Sequence, residues 1–227
     1  DYLRELGAVA PGRMADLVVF DSFEDMNIHR VYKNGELAAL DGAAVYEMVE
    51  RPKIAVRSSV NIKWLEGDEF AIPAKGSTAR VIQIIPDQIT TEAKEIEVLV
   101  KDGFVQSDVE RDILRFYVLE RHRASGNIGK GLIQGFGLKS GAVAATIAHD
   151  SHNIVVIGVS DDDVFKAVTS LNKMGGGIAV VNNGHVVESL ELPIAGLMSY
   201  RPLEYVSPTM TALTTAVHSL RSPLADP

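Results

Sequence analysis

The stretch at residues 160–189, SDDDVFKAVTSLNKMGGGIAVVNNGHVVES, predicts a helix that leads directly into a β-hairpin. Ser160 is a suitable N-cap, and the acidic run after it suits the positive end of a helix dipole. Apolar residues then recur at helical spacing, at Val164, Val168, Leu171 and Met174. The triple glycine at 175–177 ends the helix, and the Asn-Gly pair at 183–184 is a strong hairpin turn signal.

The segments around this stretch predict more strands and a second helix. Short apolar runs separated by glycines precede it, which is typical of a buried sheet with tight connections. Strands are predicted in ARVIQIIP at 79–86 and in RDILRFYVLERH at 111–122, where a helix is the alternative. Residues 207–227 predict a helix that runs off the end of the sequence. The predicted fold class is α+β, mainly antiparallel sheet with one long helix and a C-terminal helix.

Residues 1–65 are predicted to form the edge of a small β structure, followed by a short helix. Residues 15–20 form a short apolar run typical of a strand, and IHRVYKNGELA at 28–38 predicts a hairpin around an Asn-Gly turn. AAVYEMVER at 43–51 predicts the helix. We therefore place a second, α+β domain at residues 66–227.

Composition excludes several classes of protein. Hydrophobic residues make up 46% and charged residues 23%, the balance of a globular chain with a core. A net charge of −8 argues against nucleic acid or an anionic membrane surface as a partner. The chain has no cysteine, which excludes disulfides and thiolate metal sites. No apolar run approaches the roughly 20 residues that span a bilayer, and no signal-peptide pattern is present, so we expect a cytoplasmic location.

A polar cluster interrupts the most hydrophobic part of the chain, and we call it the polar knot: His149, Asp150, Ser151, His152 and Asn153. It fits a turn in which the Asp and Asn side chains bond their own backbone. Two imidazoles and a carboxylate also suit a metal, although residues three apart on an extended strand point to opposite sides. The third interpretation is a functional edge of the sheet, where polar side chains meet a substrate or another domain. The residues alone leave these alternatives open.

Three other motifs carry structural interpretations. The triple glycine follows a helix, whereas a phosphate cradle precedes one, so it favours a helix end. The acidic triplet at 161–163 lacks the alternating ligands of a calcium loop and favours a helix start. LPIAGLMS at 192–199 indicates a constrained buried loop to which spacing assigns no chemistry.

Two segments resemble known families. GAVAPGRMADLVVFD at 7–21 resembles the segment of amidohydrolase superfamily members that follows the catalytic barrel, where the chain returns to a small β domain. GFGLKSGAVAATIAHDSHN at 135–153, and the continuous stretch at 149–199, resemble the C-terminal domain of adenine deaminases. That resemblance implies hydrolysis of adenine to hypoxanthine and ammonia, in purine salvage, by a hydroxide on a binuclear manganese or iron centre in a (β/α)₈ barrel.

The sequence departs from the superfamily pattern in two respects. It contains no His-x-His pair and no eightfold strand–helix repeat, so we expect the metal ligands in a barrel outside this segment and none within it. The chain also has no initiator methionine, and we expect a piece of a longer protein, inactive by itself. The resemblance implies that the polar knot faces the barrel mouth, where its residues contact the purine or orient the metal ligands. We also expect a homo-oligomer with no nucleic-acid or membrane partner. The alternatives are another amidohydrolase acting on a cyclic amidine or amide, or a non-catalytic oligomerisation module.

Overall fold

The computed structural model describes residues 4–45 and 59–225 and divides the chain into two units, Asp1–Lys53 and Ile54–Pro227. This division precedes the position at residue 65 expected from the sequence, because Val60 and Leu65 are buried in the core of the second unit. The assignment of residues 1–65 and 66–227 to named domains stays a prediction.

The first unit contains a four-stranded antiparallel sheet in which consecutive strands are neighbours. Its strands are β1 (Leu17–Phe20), β2 (Ile28–Lys33), β3 (Glu36–Leu40) and β4 (Ala43–Ala44). The predicted hairpin is confirmed: Asn34 and Gly35 both have positive φ, 51° and 84°, as a type I′ turn requires. The predicted helix at 43–51 is wrong at its start, where β4 forms, and residues 46–51 lie outside the described residues.

The described part of the second unit contains an eight-stranded sheet, a two-stranded sheet, two α-helices and a short 3₁₀ helix at Asp68–Phe70. Its strands are β5 (Thr78–Ile84), β6 (Thr91–Glu97), β7 (Val100–Lys101), β8 (Phe104–Val105), β9 (Ile113–Leu119), β10 (Ile128–Gln134), β11 (Ala142–Ala145), β12 (Ile154–Gly158), β13 (Gly177–Asn182) and β14 (His185–Glu191), and its helices are α1 (Asp161–Met174) and α2 (Leu203–Ser219). The sheet order is β14-β13-β11-β12-β9-β10-β5-β6, and every neighbouring pair is antiparallel except β10 with β5. The small strands β7 and β8 pair with each other. The predicted α+β class is confirmed.

The two helices cover opposite faces of this sheet. On β13, Ala179 and Val181 belong to the core with α1, whereas Val180 between them belongs to the core with α2. This alternation follows from the two-residue period of a strand, and it explains why the central strands are apolar on both sides. A third, smaller core lies under β5 and contains Val81 and Ile113.

The predicted signals at both ends of α1 are confirmed. The Ser160 hydroxyl accepts a hydrogen bond from the Asp163 backbone N–H at 3.3 Å, and Gly175 ends the helix in the left-handed region at φ 75°. The C-terminal helix is confirmed in kind, but it begins at Leu203 and ends at Ser219 rather than running to the end of the chain. Among the described residues, neither helix has the length and apolarity to cross a membrane.

Candidate functional site

The polar knot forms a tight turn between β11 and β12. The His152 backbone N–H donates to the Ala148 carbonyl at 2.7 Å, and Asp150 and His152 have positive φ values of 68° and 48°. The backbone of the polar knot is therefore a turn, as one of the three interpretations predicted. The hydrogen bond that closes this turn joins two backbone groups, whereas the prediction had assigned that role to the Asp and Asn side chains. The side chains of His149 and Asp150 are 98% and 92% exposed, whereas His152 and Asn153 are half-buried.

Pairing of β12 with β9 places a second loop beside the polar knot. Ile154 at the start of β12 lies opposite Leu119 at the end of β9, so the β9–β10 loop at 120–127 emerges from the same edge of the sheet. The Glu120 carboxylate organises this loop, because it accepts hydrogen bonds from the backbone and hydroxyl of Ser125 and from the backbone N–H groups of His122 and Arg123. Those bonds, led by the Ser125 N–H, lower the pKa of Glu120 to about 2.

Replacing Glu120 with glutamine is expected to remove a pH-dependent contribution to the stability of the second unit. Because the folded-state pKa lies below the ordinary value, the stabilisation is complete above pH 4.5 and is lost as the pH falls towards about 2. The difference in unfolding free energy between wild type and Glu120→Gln should therefore shrink across that window, measured by urea titration at several pH values. Glu110→Gln controls for the loss of one negative charge. A difference that stays constant with pH contradicts the prediction.

The polar knot and the β9–β10 loop enclose an open cleft of about 500 Å³. Its lining residues are Glu120, His122, Arg123, Ser125, Asn127, Ser151 and Asn153. The His122 Nε2 atom lies 3.0 Å from the Ser151 carbonyl and links the two sides. Two buried atoms of the polar knot, His152 Nδ1 and Asn153 Oδ1, have no hydrogen-bond partner among the described residues. Hydroxyl, amide and imidazole groups each donate or accept hydrogen bonds, so the cleft can bind a polar heterocycle or a polar loop of protein.

The metal interpretation of the polar knot has no support in the described residues. In the ranges 4–45 and 59–225, no three His, Asp or Glu side chains lie close enough together to hold a metal ion. His149 and Asp150 approach each other, at 3.3 Å between Nδ1 and Oδ1, but both point into solvent. These residues therefore do not supply a metal-binding set by themselves.

Sequence reasoning missed Arg121, which stands in the chain between the cleft residues Glu120 and His122. Its side chain is buried, and its guanidinium donates hydrogen bonds to the backbone carbonyls of Ser59, His152 and Ala195. Nothing in the residue pattern distinguishes Arg121 from the exposed Arg123 two positions later. Its role depends on carbonyls that only the folded chain brings together.

The Arg121 side chain also explains why the 192–199 loop is constrained. Ile194 and Met198 form an isolated antiparallel bridge, and the turn between them contains Ala195 and Gly196 with positive φ values of 57° and 72°. The Thr146 hydroxyl donates to the Gly196 carbonyl at 2.5 Å. The predicted constrained loop is present, and it packs against the same guanidinium as the polar knot.

Comparison with known proteins gives a consistent result. Residues 88–227 match the model of the adenine deaminase C-terminal domain. The chain is 45% identical to adenine deaminase 2 of Carboxydothermus hydrogenoformans over 96% of this chain and 38% of that protein. It is 45% identical to adenine deaminase of Methanothrix thermoacetophila over 99% of this chain and 39% of that protein. It is 44% identical to adenine deaminase of Nitratidesulfovibrio vulgaris strain DP4 over 95% of this chain and 37% of that protein.

The chain therefore spans about two fifths of the length of these curated relatives. The resemblance that its sequence suggested, from the Gly-rich strands through the polar knot to the 192–199 loop, is confirmed. With the family model covering more than half of its residues, this chain belongs to the adenine deaminase C-terminal domain family.

Proposed function

We propose that this chain is the C-terminal portion of a longer, metal-dependent adenine deaminase that hydrolyses adenine to hypoxanthine and ammonia. The observation that carries the proposal is similarity over at least 95% of the chain to proteins named adenine deaminase, of which it covers about two fifths. Because the described residues contain no cluster able to hold a metal, the manganese or iron expected of the enzyme would be bound by the remainder of the longer protein. By itself the 227-residue chain is then expected to be inactive.

Within this chain, the cleft at the polar knot is our candidate for the contribution to the substrate site. Ser151 and Asn153 line it and bring a hydroxyl and an amide side chain to the cleft. Adenine carries ring-nitrogen acceptors and an exocyclic amine donor, which hydroxyl and amide side chains can match. A site built to hydrogen-bond its substrate discriminates strongly against analogues that lack the matching groups. His149, Asp150 and His152 remain candidates for contacts to groups outside this chain.

The test uses the longest gene product that contains this segment, loaded with manganese or iron. Conversion of adenine to hypoxanthine is followed by ultraviolet absorbance, with the 227-residue chain measured alongside. We expect conversion by the long protein only. In the long protein, Ser151→Ala and Asn153→Ala should each lower kcat/KM by about tenfold through the lost hydrogen bond. His185→Ala, at the exposed first residue of β14, is the control and should leave the kinetics unchanged.

Other outcomes distinguish the remaining possibilities. A folded, metal-loaded long protein that does not convert adenine overturns the proposed substrate and redirects the search to other cyclic amidines and amides. Normal kinetics in both cleft variants overturn the role of the polar knot but leave adenine as the substrate. A homo-oligomer of the longer protein is also expected, and sedimentation velocity measures it. A stable dimer of the 227-residue chain that shows no purine-dependent effect supports an oligomerisation module.

A further inference from the structure

We propose that Arg121 is a positioning residue that fixes the polar knot and the 192–199 loop in one arrangement, so that Ser151 and Asn153 face the cleft. This inference rests on the proposed role of the cleft in substrate binding. Arg121 does not line the cleft, and it acts through the backbone carbonyl of His152, which lies between the lining residues Ser151 and Asn153.

The contacts of Arg121 connect three segments that are far apart in the sequence. Nε donates to the His152 carbonyl, Nη1 to the Ser59 carbonyl, and Nη2 to the Ala195 carbonyl at 2.9 Å. The guanidinium is planar, and its N–H groups point in fixed directions. Three carbonyls that bind the same rigid group therefore have fixed positions relative to one another.

The environment of Arg121 is unusual for a buried cation. The residue is 2% exposed, and among the described residues only backbone carbonyls are seen to accept its hydrogen bonds. Burial lowers the pKa of its guanidinium. A buried charge without a carboxylate partner is costly, so carbonyl oxygens must compensate for the water that it loses. Such a group is suited to holding backbone in place, and an apolar side chain of similar size would not provide those bonds.

The bond to His152 bears directly on the cleft. His152 has left-handed backbone at φ 48°, which is uncommon for a residue other than glycine. Arg121 holds its carbonyl, while the preceding carbonyl, that of Ser151, lies 3.0 Å from His122 Nε2. The carbonyls on both sides of the His152 Cα atom are thus held by two residues of the β9–β10 loop, Arg121 and His122. Release of the His152 carbonyl would let the Ser151 and Asn153 side chains turn away from the cleft.

The 192–199 loop is fitted to the same guanidinium. A Cβ atom at Gly196 would lie 2.8 Å from Arg121 Nη2 and 2.9 Å from its Cζ, closer than real Cβ atoms approach other groups. The Thr146 hydroxyl also holds the loop, because it donates to the Gly196 carbonyl while its oxygen accepts the Gly177 N–H at 2.8 Å. A methyl group at position 196 therefore has to displace the guanidinium or the loop.

The chain offers a matched pair of glycine substitutions that isolates this contact. Gly196 and Gly184 have nearly equal φ values, 72° and 75°, so alanine at either position has the same backbone strain. A Cβ atom added at Gly184 would have no neighbour within 4 Å, whereas one at Gly196 would meet Arg121. Any effect of Gly196→Ala beyond that of Gly184→Ala thus reports on the displaced guanidinium.

The first readout does not depend on enzyme activity. In the 227-residue chain, the imidazole C–H resonances of His122 and His152 are assigned by NMR in wild type, in both glycine variants and in Arg121→Lys. Gly196→Ala is expected to shift these resonances because the added methyl group displaces the guanidinium. Arg121→Lys is expected to shift them because a lysine ammonium cannot donate to the three carbonyls in the directions that the planar guanidinium provides. Gly184→Ala should leave them in place. Unchanged resonances in Gly196→Ala and Arg121→Lys overturn the inference.

The second readout is a kinetic comparison in the longer, metal-loaded protein, well below the unfolding temperature of each variant. Gly196→Ala and Arg121→Lys are expected to raise the KM for adenine by about tenfold with a smaller change in kcat, since a merely destabilised but folded enzyme keeps both values. Gly184→Ala should match wild type. If Ser151→Ala is impaired but Gly196→Ala behaves as Gly184→Ala does, the inference about Arg121 fails and the role of the cleft stands. If Ser151→Ala and Asn153→Ala are both normal, the role of the cleft fails, and Arg121 has only a structural role.

Discussion

Replacing Gly177 with alanine is expected to lower the unfolding free energy of the second unit by about 4 kcal/mol. Gly177 begins β13 with φ 143°, and a Cβ atom there would lie 2.0 Å from the backbone oxygen of Leu190 on β14. Backbone cannot rotate away as a flexible side chain can, so the two strands would have to separate. The alanine is also strained at this φ in its own right. The two costs, about 1–2 kcal/mol for the backbone and about 1–3 kcal/mol for overpacking, act together.

Urea denaturation followed by circular dichroism measures this effect, with Gly184→Ala as the control. Gly184 lies in the turn of the same β13–β14 hairpin, also at positive φ, but it has open space around it. We expect a loss of about 1 kcal/mol for the control, the cost of backbone strain alone. Equal losses in the two variants would contradict the close approach of β13 and β14 at Gly177.

Replacing Phe70 with alanine is expected to cost about 4 kcal/mol of unfolding free energy. Phe70 is fully buried in the core on the α1 side, and its ring meets the Tyr117 ring edge-on with centroids 5.2 Å apart. The Tyr117 hydroxyl also donates to the Phe70 carbonyl at 2.7 Å, and that bond is to backbone that alanine retains. The expected loss therefore reports on the ring and on the cavity it leaves, rather than on the hydrogen bond.

Trp64→Ala provides the comparison for Phe70→Ala within the same segment of the chain. Trp64 is also aromatic and lies six positions earlier, but its side chain is 84% exposed. Its removal should change the unfolding free energy by no more than about 0.5 kcal/mol. Since Trp64 is the one tryptophan in the sequence, circular dichroism rather than fluorescence must follow unfolding. A loss for Trp64→Ala as large as for Phe70→Ala would contradict the burial pattern of residues 59–76.

Elements with local signals could be predicted from the sequence. Helix α1 has its cap, its apolar spacing and its terminal glycine within one continuous stretch, and the two Asn-Gly turns specify hairpins through backbone that few other residue pairs adopt. The order of the strands could not be predicted in this way. The parallel pairing of β5 with β10 joins residues about fifty positions apart, and no local pattern records it.

The candidate site also has a part that local sequence signals predict and a part that depends on residues distant in the sequence. The polar knot could be located from its residue types, because a polar cluster between two buried strands has to lie at an edge of their sheet. Which of its side chains face the cleft depends on the β9–β10 loop and on Arg121, and both reach it through tertiary contacts. Arg121 in particular could not be predicted, since its carbonyl partners are between 31 and 74 positions away.

The sheet order has a further consequence for the behaviour of the protein at high concentration. Strand β6 is outermost, and in the part of the chain that the structure describes no strand pairs with its outer row of backbone groups. Its sequence, TEAKEIE, is mostly exposed and carries four charges, at Glu92, Lys94, Glu95 and Glu97. Charged side chains along an open strand discourage addition of a further strand, because they would have to be desolvated or placed against like charges. The composition of β6 thus protects this side of the sheet against aggregation.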